Sequence, residues 1–334
     1  MSKFKYLVNK TITTILLLFL VASGLFLFFR MMPGSFLDYV AVSGASPEQL
    51  AALEDKWGLN DPLYVQYFNY ISNLARGDMG TSFRLGQPVV ELTVPRMVNS
   101  FILIGPAIAI SYLIGSIYGG VMGMRRGSFF EKYGIIPVTF FGTIPEFFLG
   151  ILIIAIFGSW LDVLPVGGMV NPVTYEMLGE NAPFWAVYTT LDFWKHYILP
   201  FLTVLLLYLY LSALVMRTSV VEVSGQDFSY YHRMKGLSRY DRGRHIMRHA
   251  SLPVITLFPS TMTRAVGGMV LIEVVFNWPG IGQLLVNSVL FRDFPVVQFV
   301  FFIVAVWVIL GNYVVDLIYG VVDPRVSIEG VDES

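Results

Sequence analysis

The sequence predicts an all-α integral membrane protein, with six transmembrane helices and a small external domain inserted after the first. Three observations carry that expectation. The chain is 55% hydrophobic and only 13% charged, with a mean hydropathy of +0.66, too few polar groups to clothe a soluble domain. Apolar stretches long enough to cross a bilayer core as helix, about 20 residues, recur at roughly 9–30, 98–124, 133–161, 197–216, 252–272 and 297–322. The basic residues between these stretches gather in alternate connections, and Lys and Arg in short loops mark the cytoplasmic side.

The first span follows Lys3, Lys5 and Lys10, as the core of a signal peptide would. Its apolar run from Thr11 to Phe29 is too long for that, and no small-x-small cleavage site follows. Arg125, Arg126 and Lys132 lie between spans two and three. Seven more basic residues lie between spans four and five, and Arg325 follows the last, placing 14 of 22 Lys and Arg on one face. The expected topology is multi-pass in the plasma (cytoplasmic) membrane, with both termini cytoplasmic.

Residues 31–97 read as the external domain. Pro33-Gly34, Ser46-Pro47, Asp61-Pro62 and Gly77-Asp78 supply turns. Ser46 to Lys56 suits a capped helix, with Ser46 at the cap, Pro47 in the first helical position and Glu48 at the positive end of the dipole. A second helix is expected from Leu59 to Leu74, rich in Tyr and Phe, against the first or along the membrane interface. A further loop at 162–196, carrying Asp162, Glu176, Glu180 and Asp192 in a Pro-rich frame, reads as a surface cap near a substrate entrance.

Between the fourth and fifth spans stands a charged segment, residues 217–249. It holds Arg217, Arg233, Lys235, Arg239, Arg242, Arg244 and Arg248 and three of the four His. Phe228, Tyr231, Met234 and Leu237 recur every three residues, which places them on one face of a short helix with His232, Arg233 and Lys235 on its rim. Gly236 suits its C-terminal end, because glycine tolerates the left-handed conformation. Two readings fit such a helix: a knob for a groove on a soluble partner, or an amphipathic helix on the membrane surface.

The residues around it decide between these. Gln226-Asp227, Lys235-Gly236-Leu237-Ser238, Arg248-His249-Ala250 and Leu252-Pro253-Val254-Ile255-Thr256 closely resemble the EAA loop of ABC importer permeases, specifically the dipeptide/oligopeptide permease family. The resemblance continues through Leu59-Asn60-Asp61-Pro62, Gly77-Asp78-Met79-Gly80-Thr81-Ser82, Ile144-Pro145, Leu164-Pro165, Asn277-Trp278-Pro279-Gly280-Ile281-Gly282, Arg292 to Gln298 and Val315 to Tyr319, ending at Asp323-Pro324-Arg325. It implies a type I importer permease, the first of a pair, with a core over 98–322 and a cytoplasmic tail over 323–334. The resemblance also implies a second homologous permease, two cytoplasmic ATPases and an external solute-binding protein as partners. Asp227, Phe228, Tyr231, His232, Arg233, Met234, Lys235, Gly236 and Leu237 would be the ATPase-coupling residues. Tyr230, Tyr231, His232 and Met234 are bulkier than the family's usual residues before the Gly, which implies either a differently shaped groove on the ATPase or contacts displaced by a residue or two.

Glu146 and Arg264 are charged groups inside spans, and such groups are functional by default. They are the candidate pathway or gate, for which the plainer reading is a buried ion pair. Asp316 is expected to accept hydrogen bonds near the inner end of the last span, and Glu273 to fix the turn at 277–282. Gly-Lys occurs nowhere, so the chain lacks a phosphate-cradling loop, and ATP and Mg are expected only in partner subunits. Without Cys or His-Glu-x-x-His there is no constellation for a hydrolase or a metal, and nothing suggests nucleic acid. An ion-coupled secondary transporter using Glu146, Arg264 and Asp316 is the alternative, against which stands the absence of inverted repeats. The expected cargo is di- or oligopeptide, with oligosaccharide or another small solute next.

Overall fold

The computed structural model describes residues 3–32, 37, 40, 41, 46–56, 58–179 and 182–322. Pro33-Gly34, Glu180 and the tail at 323–334 lie outside the described residues, as do the side chains of Phe228 and Asp316. Secondary structure among the described residues is helical, apart from an isolated antiparallel bridge between Thr81 and Pro88.

Four helices are long and apolar enough to cross a membrane: α1 (Lys3–Met31), α4 (Val89–Met124), α8 (Leu191–Ser224) and α13 (Phe294–Val322). Two bent pairs raise the number of spans to six. Helix α5 (Phe129–Thr143) meets α6 (Glu146–Ile153) and its π-helical continuation Ile154–Trp160 at 106°, and α11 (Leu252–Val275) bends by 58° between Ala265 and Gly267. The third span, expected to run unbroken over 133–161, is therefore broken at Ile144. A residue before proline is pushed out of the helical region, and Ile144 takes φ −74°, ψ 135°.

Other boundaries move as well. Helix α4 begins at Val89, nine residues before the expected start at 98, because Val89 and Leu92 are buried in a core of their own. Helix α8 continues through Ser224, so residues 217–224 are helix and the connection begins at Gly225. The remaining elements are α2 (Pro47–Lys56), α3 (Leu63–Arg76), α7 (Pro172–Leu178), a 3-10 turn (Phe184–Thr189), α9 (Asp227–Met234), α10 (Arg239–Ala250) and α12 (Ile281–Leu290). At α2 the Ser46 hydroxyl accepts from the Gln49 N–H, and the Gln49 side chain accepts from the Ser46 N–H, a reciprocal cap. Helix α3 starts at Leu63, four residues after the expected Leu59, because Pro62 caps it; Gln66 donates to the Leu59 and Asp61 carbonyls and folds the preceding turn onto it.

The chain divides into two compact units at Val98/Asn99 and Pro279/Gly280. In the first, α1 packs along α13, with Phe29 against Phe294 and Phe301 and a Thr11–Tyr313 hydrogen bond of 3.0 Å. Helix α3 lies against α1 through Phe26, Tyr67 and Tyr70, and Ser23 bonds Tyr67 at 2.7 Å. In the second unit α8 is the axis, contacting α5, α6, α10 and α11 around a core that includes Phe193, Ile108, Met216 and Trp278. A seam of Gly115, Gly119 and Gly123, four residues apart on α4, admits the α8 backbone and side chains between Leu209 and Val220.

Candidate functional site

The charged segment folds as two helices joined by a glycine turn. Helix α9 ends in a Schellman motif: the Gly236 N–H donates to the Arg233 carbonyl at 3.1 Å, and the Leu237 N–H to the His232 carbonyl at 3.2 Å. That closure requires a left-handed residue, and Gly236 has φ 74°. Ser238 then caps α10, its hydroxyl accepting from the Asp241 N–H at 3.1 Å and donating to the Asp241 carboxylate at 2.6 Å. The His232 and His245 rings stand 4.9 Å apart, holding the two helices face to face.

Helix α9 keeps its apolar side chains outward: Tyr230, Tyr231 and Met234 are 62%, 63% and 70% exposed. Asp227, Arg233, Lys235 and Gly236 are also exposed, while His232 and Leu237 are half-buried. Helix α10 is anchored. Its Ile246 and Ala250 are buried, Met247 occupies the space left by Gly120 of α4, and Gly243 sits against Met124. Helix α9 is thus joined through a tight turn and a packed helix to α4.

Arg217, at the start of the charged segment by sequence, lies inside α8. Its Nε and Nη2 donate to one oxygen of Glu131 at 3.0 and 2.5 Å, and the Gly127 N–H donates to the other. Ser128 caps α5 beside it, accepting from the Glu131 N–H. This ion pair fixes the start of α5 to α8, and sequence reasoning did not find it because its halves lie 86 residues apart.

Glu146 occupies the first turn of α6, immediately after the break at Pro145, where a carboxylate faces the positive end of the helix. Its carboxylate reaches the bend in α11: a Cβ on Gly268 would stand 3.1 Å from its Oε2. Arg264 is exposed one turn earlier on α11. Among the described residues no ion pair joins Glu146 to Arg264, in place of the buried pair considered from sequence. Tyr112 of α4 bonds Thr261 of α11 at 2.5 Å, one turn before Arg264. The structure thus brings the breaks of the two bent spans together, with Glu146 and Arg264 in no ion pair among the described residues.

A third node surrounds Trp278, which is fully buried. The indole donates to the Asn99 carbonyl at 3.2 Å, the Asn99 amide donates to the Pro279 carbonyl at 2.8 Å, and Tyr188 donates to Asn99 Oδ1 at 2.6 Å. Burial raises the pKa of the Tyr188 phenol, which keeps it a donor. Glu273 accepts from Ser100 at 2.5 Å, and its carbonyl accepts the Trp278 N–H, so it braces the turn at Asn277, whose φ is 48°.

Residues 111–328 match the family described as the inner membrane component of binding-protein-dependent transport systems, and residues 3–101 match the N-terminal part of such components. The chain belongs to this family. As one of its permeases it is a multi-pass membrane protein. It is 33% identical to the oligopeptide transport system permease protein AppB of Bacillus subtilis (strain 168), over 96% of this chain and 99% of that protein. It is 33% identical to the dipeptide transport system permease protein DppB of Escherichia coli (strain K12), over 90% and 92%. With the glutathione transport system permease protein GsiC of Escherichia coli O6:H1 it shares 30% identity over 96% and 98%. Family membership sets aside the secondary-transporter alternative: this permease is the membrane component of a system that works with a binding protein.

Proposed function

We propose that the chain is a peptide-translocating permease of an ATP-driven ABC importer, with α9 as the helix that ATPase subunits move. The observation that carries this reading is the exposed face of α9, on which Tyr230, Tyr231 and Met234 are rimmed by Arg233 and Lys235 and rooted through α10 in α4. An apolar stripe with a polar rim fits a groove on a soluble partner. The names of three similar proteins, covering oligopeptide, dipeptide and glutathione transport, favour peptide over oligosaccharide as cargo.

The importer would comprise this chain, a second homologous permease, two cytoplasmic ATPases that bind ATP and Mg, and an external solute-binding protein. Closure of the ATPases would press on α9 and rock the permeases between inward and outward openings. Glu146 and Arg264 lie where the two bent spans meet and would act as a gate in that motion. Both termini and the α9–α10 segment face the cytoplasm on this reading, since they carry most of the basic residues, and residues 31–88 with the 162–190 connection face outward.

Because the chain has no cysteine, a single Met234→Cys variant reports on this surface cleanly. In inside-out vesicles it is expected to crosslink to the co-expressed ATPase, whereas Phe68→Cys on α3 gives no such product. Labelling of Met234→Cys from the opposite side, or no crosslink from either Tyr231→Cys or Met234→Cys in an active complex, contradicts the assignment.

A further inference from the structure

The first unit contains a cavity of about 440 Å³ that the coupling function does not use. We propose that it binds a small zwitterion with an apolar side chain, namely an α-amino acid or a short peptide; only the peptide length rests on the function proposed above.

Segments far apart in sequence converge on the cavity. Arg30 comes from α1, Glu54 from α2, Asn60 from the turn before α3, Asp78 from the Gly77–Ser82 motif and Gln298 from α13. The Leu59–Pro62, Gly77–Ser82 and Arg292–Gln298 fragments singled out by sequence thus serve one place. Much of the rest is apolar, with the rings of Phe29, Phe83, Phe294 and Phe299 beside aliphatic side chains such as Leu59 and Leu74.

Charge selects the ligand class. Among the described residues, none of Arg30, Glu54 and Asp78 forms an ion pair. One Asp78 oxygen accepts the Gly80 N–H at 2.9 Å, and among the described residues its other oxygen has no hydrogen-bond donor. A simple anion entering the cavity meets two carboxylates, and a simple cation meets the guanidinium. A molecule carrying both charges can offer its carboxylate to Arg30 and share the three N–H donors of its ammonium between Glu54 and Asp78. Gln298 adds a donor: among the described residues its buried Nε2 has no hydrogen-bond partner. An unused buried donor beside an arginine is what a carboxylate needs. The apolar part of the lining suits an apolar side chain, and the volume lies in the range of small-molecule sites.

The test is titration calorimetry on the full-length chain in phosphatidylglycerol nanodiscs, with the dipeptide Ala-Phe, free phenylalanine and doubly capped N-acetyl-phenylalanine amide as probes. Saturable binding of at least one zwitterion is expected, with the capped compound about tenfold weaker or worse, the effect of losing a charge-assisted contact. Arg30→Gln and Gln298→Met should each weaken the zwitterion about tenfold while leaving the gel-filtration profile unchanged. If either variant fails to fold, the probe series on the native chain decides alone. No saturable binding up to about 10 mM, equal binding of the capped probe, or native affinity in both folded variants overturns the proposal. So does mass spectrometry showing a phospholipid retained by the native chain and lost from Arg30→Gln, which makes the cavity a headgroup site. ATP-driven uptake is scored separately. Uptake without binding sinks this inference alone, whereas binding without ATP-dependent uptake supports it and sinks the importer reading.

Discussion

Ser82 and Asp293 stand 211 residues apart in sequence and 2.5 Å apart in space, the hydroxyl of one donating to the carboxylate of the other. The Phe83 N–H donates to the second carboxylate oxygen at 2.9 Å, and Asp293 is only 2% exposed. Asp293→Ala strands both donors in a dry site and is expected to destabilise the chain by about 2–4 kcal/mol. Asp293→Asn keeps one acceptor oxygen and should cost less. Thermal unfolding in detergent orders the three proteins; equal midpoints for the native chain and Asp293→Ala contradict the assignment.

The glycine seam of α4 makes a second, graded prediction. A Cβ at Gly119 would collide with the Ala213 carbonyl of α8, whereas one at Gly105 meets only the Phe101 ring at 3.6 Å, an ordinary contact. Gly119→Ala should lower stability by about 1–3 kcal/mol through overpacking. Gly105→Ala should be neutral or gain up to about 1 kcal/mol from helix propensity. The same unfolding assay on both variants checks the contrast.

At Gly236 the demand is conformational, since its φ is 74° but nothing lies within 4 Å of an added Cβ. Gly236→Asn should therefore keep ATP hydrolysis coupled to uptake, because Asn tolerates the left-handed region. Gly236→Val should impair coupling, opposing the turn by about 1–2 kcal/mol. Equal coupling in the two variants would show that the Schellman turn does not matter.

Glu146→Gln and Arg264→Gln each remove one of the opposite charges at the meeting of the bent spans. Each is expected to slow peptide uptake several-fold while sparing complex assembly and ATPase docking. Uptake at the native rate in both variants excludes a gating role.

Much of this architecture was legible because bilayer physics acts on every residue of a span. Long apolar runs and clustered Lys and Arg could be read without neighbours in space, and the α9 face was visible from Tyr231 and Met234. The break at Pro145 was not, because Pro137, Pro200 and Pro259 lie inside helices that continue past them. Whether a proline ends a helix depends on what surrounds the freed carbonyl, which a single sequence does not record. Helix α10 was hidden by its own polarity, since the short inward stripe of Gly243, Ile246, Met247 and Ala250 is outnumbered by Arg, His and Asp side chains. The Glu131–Arg217 and Ser82–Asp293 pairs escaped for a simpler reason: each joins residues that only the fold brings together.

The most direct test of the central claim is uptake of a labelled dipeptide by proteoliposomes holding both permeases, the ATPases and the binding protein, comparing the native chain with Leu237→Asp. The account predicts ATP-dependent uptake by the native complex, and its loss in Leu237→Asp although the variant chain remains in the membrane. Undiminished uptake by the variant, or uptake by either chain with no ATPase present, would contradict α9 as the point where energy enters.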